Sequence, residues 1–146
     1  MVASRIEIQG KKETSYRKLV RPRLMDELKD GILEQLVVKK KYRDCNYTAQ
    51  QLAKDLQTNV RYISAVVRVQ FHTNYSTFVN RYRVEEAMSI LTDQRYSERT
   101  IEEVGDMVGF AHRQSFHTAF LKHVGMTPNA YRSQYEVQLS LANAKK

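Results

Sequence analysis

The sequence predicts an all-α protein of about seven helices, and three observations support this fold class. Only five Gly and two Pro occur in 146 residues, so that few positions interrupt regular structure. Apolar residues recur at the i, i+4 spacing of a helix, as in Leu24, Leu28 and Ile32, whereas strict apolar–polar alternation is hard to find. Two segments of the chain also repeat one another, which indicates two copies of one helical unit.

Caps and apolar faces predict the first three helices in order. Pro22 suits the first turn of a helix that carries this apolar stripe, and three consecutive lysines suit its end. Thr48 begins a capping-box pattern that precedes a short helix. After a turn at residues 57–59, an apolar face from Ile63 to Phe71 defines the third helix.

The remaining four helices are predicted from the same kinds of signal. A long helix is predicted at Ser76–Thr92, and Ser97 or Thr100 caps the helix after it. Gly125 ends the sixth helix, whose apolar residues again recur at helical spacing. Pro128 suits the first position of the last helix, where a backbone N–H has no partner within the helix.

An internal repeat gives these helices their organisation. Ala53 corresponds to Gly105 at an offset of 52 residues, and Ile63 corresponds to Phe116 at an offset of 53, because the second turn is one residue longer. Each unit is a short helix, a tight turn and a second helix with a polar outer face. The small residue in the short helix lets the second helix approach closely. The sequence therefore predicts two helix-turn-helix subdomains joined by a long linking helix.

The basic character of the chain is concentrated in particular segments. The net charge is +8, of which residues 1–25 carry +5. No Asp or Glu occurs in residues 56–84 or 107–135, two stretches of 29 residues that both contain basic side chains. Because a surface without carboxylates does not repel phosphate, these stretches favour nucleic acid as the partner.

Several runs at fixed spacing carry a family signature. They are Gly109-Phe110, the run Q-S-F-H-T-A-F at 114–120, the run G-M-T-P-N-A-Y-R at 125–132 and, upstream, L-A-K-D-L at 52–56 and R-V-E-E-A at 83–87. Over roughly Met25 to Gln134, these runs resemble the AraC/XylS-type transcriptional regulators. The resemblance implies a bipartite DNA-binding domain of seven helices, whose two recognition helices enter adjacent major-groove segments on one face of the DNA.

The chain departs from the pattern of this family at four positions. Val67 replaces a common Phe, His72 a common Gly, Thr118 a common Arg and Leu121 a frequent Lys. These departures leave the predicted fold intact, but they change the side chains that are available for contact with DNA.

Position within the two recognition helices predicts which side chains contact DNA. Arg suits guanine O6 and N7, and Gln suits adenine N6 and N7, although each residue could instead be an ordinary solvated side chain. The predicted base contacts are Arg61, Ser64 and Ala65 in the first recognition helix and Arg113, Gln114, His117 and Thr118 in the second. The predicted phosphate contacts, each of which could instead form a surface salt bridge, are Arg68, Arg81, Arg83, Lys122 and Arg132.

Four segments are predicted along the chain. They are a basic tail or arm at 1–22, the first helix-turn-helix subdomain with the linking helix at 23–92, the second subdomain at 93–135, and a C-terminal tail at 136–146. Most members of the resembled family also carry an effector or dimerisation domain, which is not visible in these residues. The initial Met1 favours a stand-alone short regulator over an excised DNA-binding domain.

Other classes of protein are disfavoured by what the sequence lacks. It has no apolar run of about 18 residues and no secretory signal, which predicts a cytoplasmic, nucleoid-associated protein without a membrane partner. It has no Gly-rich phosphate loop, G-x-S-x-G or H-E-x-x-H, and no Cys/His cluster at zinc spacing, so we expect no enzyme, cofactor or metal.

Two functions remain after these exclusions. The first is a regulator bound to double-stranded DNA as a monomer, with RNA polymerase as a further candidate partner. The alternative is a basic helical protein-interaction or RNA-binding module that acts through its tail.

Overall fold

The computed structural model describes residues 18–144, and from Pro22 onward these form seven α-helices and no β-strand. A π-helical turn at Glu34–Val38 and two 3-10 turns, at Lys41–Arg43 and Gln94–Tyr96, lie between the helices. The all-α class is confirmed. In chain order the helices are α1 (Pro22–Leu33), α2 (Ala49–Asp55), α3 (Val60–Phe71), α4 (Tyr75–Leu91), α5 (Ile101–Val108), α6 (Arg113–Val124) and α7 (Pro128–Ala144).

The described residues form two compact units. One comprises the chain up to Lys41 together with Asn46–Val79, and the other comprises Tyr42–Cys45 together with the residues from Asn80 onward. The pair α2–α3 belongs to the first unit and the pair α5–α6 to the second. The division falls inside the long helix α4, whereas the sequence analysis placed it after that helix, at residue 92.

The core of the first unit is built by α1, α2 and α3. Pro22 is the first residue of α1, and Leu28 and Ile32 of the apolar stripe are buried. α3 packs against both α1 and α2. The chain also passes close to α1 at Gly31, where an added Cβ would lie 2.8 Å from Cδ2 of Leu56. Together these contacts leave only a narrow side of α3 uncovered.

Polar side chains cap α2 and α3 at their N-termini. Thr48 Oγ1 accepts from the N–H of Gln51 at 3.2 Å, and Asn59 Oδ1 accepts from the N–H of Tyr62 at 2.9 Å. The capping-box prediction is correct only for the Thr48 half. Gln51 Nε2 instead donates to Oδ1 of Asp55 at 3.2 Å, one turn further along α2.

The second unit confirms two local predictions around α5. Thr100, and not Ser97, is the cap, and it forms a complete capping box with Glu103, whose backbone N–H donates to Thr100 Oγ1 at 3.0 Å. A Cβ added to Gly105 would lie 2.7 Å from Cδ2 of Phe116. The absence of a side chain at Gly105 therefore allows α6 to approach α5 closely, as the repeat predicts.

Aromatic rings fix the inner face of α6 in the second unit. The ring centroid of Phe120 lies 5.8 Å from that of Phe116 and 5.6 Å from that of Tyr131, both in edge-to-face arrangements. The ring of Phe110 lies 5.2 Å from that of Phe116. Because these rings hold one side of α6 inward, its opposite side is presented to solvent.

The two predicted tails require correction where the structure describes them. Val20 is buried, with 1% of its surface exposed, so the packed chain begins inside the segment 1–22 that was predicted as a tail. The rest of that prediction, residues 1–17, lies outside the described residues. Residues 136–144 continue α7 to Ala144, because their side chains form a further helical run without Gly or Pro.

Candidate nucleic-acid interface

α3 exposes a narrow strip of side chains directly after its cap. Arg61 is exposed, and Ser64 and Arg68 are partly exposed at the i+3 and i+7 positions from it. Because residues at these spacings lie on one side of a helix, three of the predicted contacts come together on this strip. Val60, 38% exposed, lies beside Ser64 on the same side and was missed. Its place in the first turn, next to the cap, is the signal that could have identified it.

Ala65 does not belong to this strip, and its predicted base contact is wrong. It has no exposed surface, because α3 is covered by α1 on one side and by α2 on another. Val66 and Val67 beside it are equally buried. The methyl group of Ala65 is too short to extend past these neighbours to the surface.

The exposed side of α6 is centred on Thr118. At about 100° of rotation per residue, Gln114, Thr118 and Leu121 point away from the buried Phe116 and Phe120. Gln114 Nε2 donates to Thr118 Oγ1 at 3.4 Å, so two predicted base contacts are joined on this side. Leu121, 52% exposed, was missed, and it could have been found by plotting α6 around the direction of its two Phe residues.

Arg113 and His117 differ from this pair in their surroundings. Arg113 is exposed and is the first residue of α6. Its side chain therefore projects from the N-terminal end of the helix, whereas Gln114 and Thr118 lie on its outer side. His117 is partly buried and edge-on to Phe116, with 6.2 Å between the ring centroids. Its Nε2 is buried and has no hydrogen-bond partner among the described residues. This nitrogen is therefore not available at the surface, and the base contact predicted for His117 stays a prediction.

The electrostatic surroundings of α3 and α6 suit a polyanion. Neither helix contains an Asp or Glu. Arg81 and Lys122, two predicted phosphate contacts, are exposed. Partial desolvation and the charges of Arg81 and Lys122 lower the pKa of His123 below its usual range, although Glu85 opposes them. This shift favours the neutral imidazole, and the positive charge here belongs to Arg81 and Lys122.

Arg83 donates hydrogen bonds to the backbone of a distant segment of the chain. Its Nε donates to the carbonyl oxygen of Tyr42 at 2.6 Å, and its Nη2 donates to that of Asp44 at 3.3 Å. Its Nη1 donates to Asn80 Oδ1 at 3.2 Å, and the guanidinium lies over the ring of Phe110. These bonds hold the segment 42–45 in the second unit. Arg83 thus has a structural role, and its phosphate contact stays a prediction.

Arg132 also turns towards the protein. Its Nη1 donates to the carbonyl oxygen of Arg99 at 2.6 Å, and its Nη2 is buried. The phosphate contact predicted for Arg132 likewise stays a prediction. Of the five predicted phosphate contacts, Arg81 and Lys122 are exposed and the other three are partly exposed; two of those three, Arg83 and Arg132, donate to backbone carbonyl groups.

The described residues contain neither a cluster of metal ligands nor a membrane-spanning helix. Within residues 18–144, no three His, Cys, Asp or Glu side chains lie close enough together to hold a metal ion. The described helices include none with the length and hydropathy needed to cross a bilayer.

Comparisons with known proteins identify the kind of domain to which this interface belongs. A family model for a helix-turn-helix domain matches residues 52–134. The chain is 30% identical over 99 residues to the uncharacterized HTH-type transcriptional regulator YdiP of Escherichia coli, which corresponds to 65% of this chain and 32% of that protein. It is 26% identical over 87 residues to the uncharacterized HTH-type transcriptional regulator YtdP of Bacillus subtilis, which corresponds to 60% of this chain and 11% of that protein. The chain thus spans a third or less of the length of these two relatives.

Solved structures agree with the sequence matches. The C-terminal domain of the two-component response regulator YesN from Fusobacterium nucleatum superposes with a TM-score of 0.60 and 27% identity, covering 68% of this chain and 94% of that domain. The C-terminal domain of AraT, a response regulator from Geobacillus stearothermophilus, gives a TM-score of 0.59 and 24% identity over 66% of this chain and 78% of that one. The second likeness supports the fold alone.

Proposed function

Because the chain belongs to the AraC/XylS-type helix-turn-helix family of transcriptional regulators, we propose that it controls transcription by binding one particular duplex DNA sequence. α3 and α6 act as the two recognition helices, and each enters a major groove. One observation carries this proposal: in both helix-turn-helix pairs, the second helix has an exposed polar side and no carboxylate.

The exposed side chains divide into two roles. Arg113 and Gln114 supply the planar groups that pair with guanine and adenine edges, and Arg61 does the same from α3. Ser64 and Thr118 have short hydroxyl side chains on the same two surfaces. Positively charged groups around these surfaces neutralise the DNA backbone and fix the register of the protein on the duplex; they are Arg68, Arg81 and Lys122.

The two recognition surfaces differ in chemistry, and this difference determines the form of the DNA site. Arg61 and Ser64 on α3 offer one set of donors, whereas Arg113 and Gln114 on α6 offer another. A single chain therefore reads two unlike half-sites in a fixed order. A symmetric dimer would instead require a palindrome.

Arg113→Ala tests the base-reading role directly. We expect discrimination at one base pair to fall by about 1–3 kcal/mol, because a bidentate Arg–guanine contact is lost. The melting temperature should be unchanged, because Arg113 is exposed and is not a member of the buried core. The measurement is competition binding against single-base variants of a selected site, together with a melting curve.

The matched control for this variant is Arg95→Ala. The Arg95 side chain is 81% exposed and pairs with Asp93 in a 3-10 turn, so the control removes the same charge from a position outside α3 and α6. It should leave sequence preference intact. If Arg113→Ala weakens binding to all variants equally, Arg113 contacts phosphate and its base-reading role is wrong.

A further inference from the structure

Gln114 and Thr118 form a hydrogen-bonded pair on the exposed side of α6. They lie one turn apart, and Nε2 of Gln114 donates to Oγ1 of Thr118 at 3.4 Å. Both side chains are exposed, so the bond does not fill a gap in the core. A bond of this kind between exposed side chains adds little stability, because water can replace it. The hydrogen bond therefore matters mainly for the position of the Gln114 carboxamide.

The orientation of a carboxamide decides which base it can read. An adenine offers the N7 acceptor and the N6 amino donor in the major groove, so a glutamine must present N–H to N7 and oxygen to N6. An unsupported carboxamide can rotate by 180° and exchange these two groups, and it must then be ordered on binding.

Thr118 limits the freedom of this carboxamide through a hydrogen bond. The NH2 group of Gln114 has two hydrogens, and one of them is used in the bond to Thr118 Oγ1. The other hydrogen and both lone pairs of Oε1 remain for the DNA. Threonine has one side-chain torsion and a branched Cβ, so its hydroxyl has few alternative positions. Because the carboxamide is bonded to Thr118, less of its freedom remains to be lost when it meets a base.

We propose that Thr118 is a positioning residue that fixes the Gln114 carboxamide for recognition of an adenine. This inference rests on the proposed function, because it assumes that α6 lies in a major groove. It also gives a role to Thr118, which occupies a position where the resembled family commonly has Arg. A hydroxyl can donate to or accept from any base edge, so Thr118 acting alone would carry little sequence information.

The experiment compares five forms of the full chain: wild type, Thr118→Val, Thr118→Ser, Gln114→Ala and the double variant Gln114→Ala/Thr118→Val. Valine keeps the shape of threonine and removes the acceptor, whereas serine keeps the acceptor. A site selected by the wild type is varied at each base pair, and the pair read by Gln114 is the one at which Gln114→Ala loses its preference. Binding to that pair and to an unrelated duplex is then measured for every form.

At that base pair we expect Thr118→Val to lose preference for adenine about tenfold, within the range that one bidentate pair contributes. Thr118→Ser should keep the preference, and binding of all forms to the unrelated duplex should be equal. In the Gln114→Ala background, Thr118→Val should have no further effect, because the two residues act as one unit. Melting temperatures should not change, since both residues are exposed.

Three results would overturn the inference in different ways. If Thr118→Val reads adenine as well as the wild type does, Thr118 does not position Gln114. If the loss of adenine preference in the double variant equals the sum of the losses in the two single variants, Thr118 contacts the DNA independently. If the wild type shows no sequence preference at all, the proposed function fails, and the role of Thr118 fails with it.

Discussion

Phe120→Ala is expected to lower the free energy of unfolding of the second unit by about 3–5 kcal/mol, the usual cost of truncating a buried Phe. Phe120 has no exposed surface, and its ring contacts those of Phe116 and Tyr131 in edge-to-face geometry. The variant leaves a cavity that these rings cannot fill without losing their own packing. Since the rings orient α6, binding to every DNA sequence should weaken together. Chemical denaturation and binding to selected and unrelated duplexes are the measurements.

The neighbouring residue provides the control for this variant. Leu121 is 52% exposed, so Leu121→Ala should change stability by about 0.5 kcal/mol or less. If both variants unfold with similar free energies, the inner and outer sides of α6 are not as described. The same holds if Phe120→Ala retains full stability.

Gly109→Ala is expected to destabilise the second unit by about 2–5 kcal/mol, since two independent costs combine. Gly109 ends α5 with a φ of +109°, a conformation that side chains with a Cβ rarely adopt. The added Cβ would also collide with the carbonyl oxygen of Tyr42 and lie 2.9 Å from Cα of Arg43. Both obstacles belong to backbone, which cannot move aside as a flexible side chain can. Thermal or denaturant unfolding measures the effect.

Gly125→Ala separates the two costs. Gly125 ends α6 with a φ of +86°, but an added Cβ would meet no atom of the described chain within 4 Å beyond its own chain neighbours. Only the torsional cost of about 1–2 kcal/mol should remain. If the two glycine variants lose the same free energy of unfolding, the close contact of Gly109 with the segment 42–45 adds nothing to the cost of Gly109→Ala.

Local sequence signals predicted the features that depend on only a few neighbouring residues. Thr100 and Glu103 lie three residues apart and form the capping box that this spacing indicates. The repeat identified Gly105 as the point of close approach, where Phe116 lies against its Cα. Pro22 and Pro128 begin helices because a missing N–H is harmless there.

Features that depend on packing between distant segments could not be predicted in this way. The burial of Ala65 follows from two other helices that cover α3, and helical periodicity within α3 carries no information about them. The role of Arg83 depends on carbonyl groups of Tyr42 and Asp44, about 40 residues earlier in the chain. The helix pattern therefore predicts Arg83 to be an exposed cation. Its acceptors are backbone carbonyl groups, which are present at every residue and are marked by no sequence motif.

The central claim is that one chain reads two unlike half-sites in duplex DNA through α3 and α6. The most direct test is to select duplexes that the full chain binds from a random pool. The selected duplexes are then footprinted with the protein bound. The result we predict is a motif with two different blocks in a fixed order, about one helical turn apart, protected by a single chain. Arg61→Ala should then alter one block and Arg113→Ala the other. A pool without enrichment, or a palindrome protected by two chains, would contradict the claim.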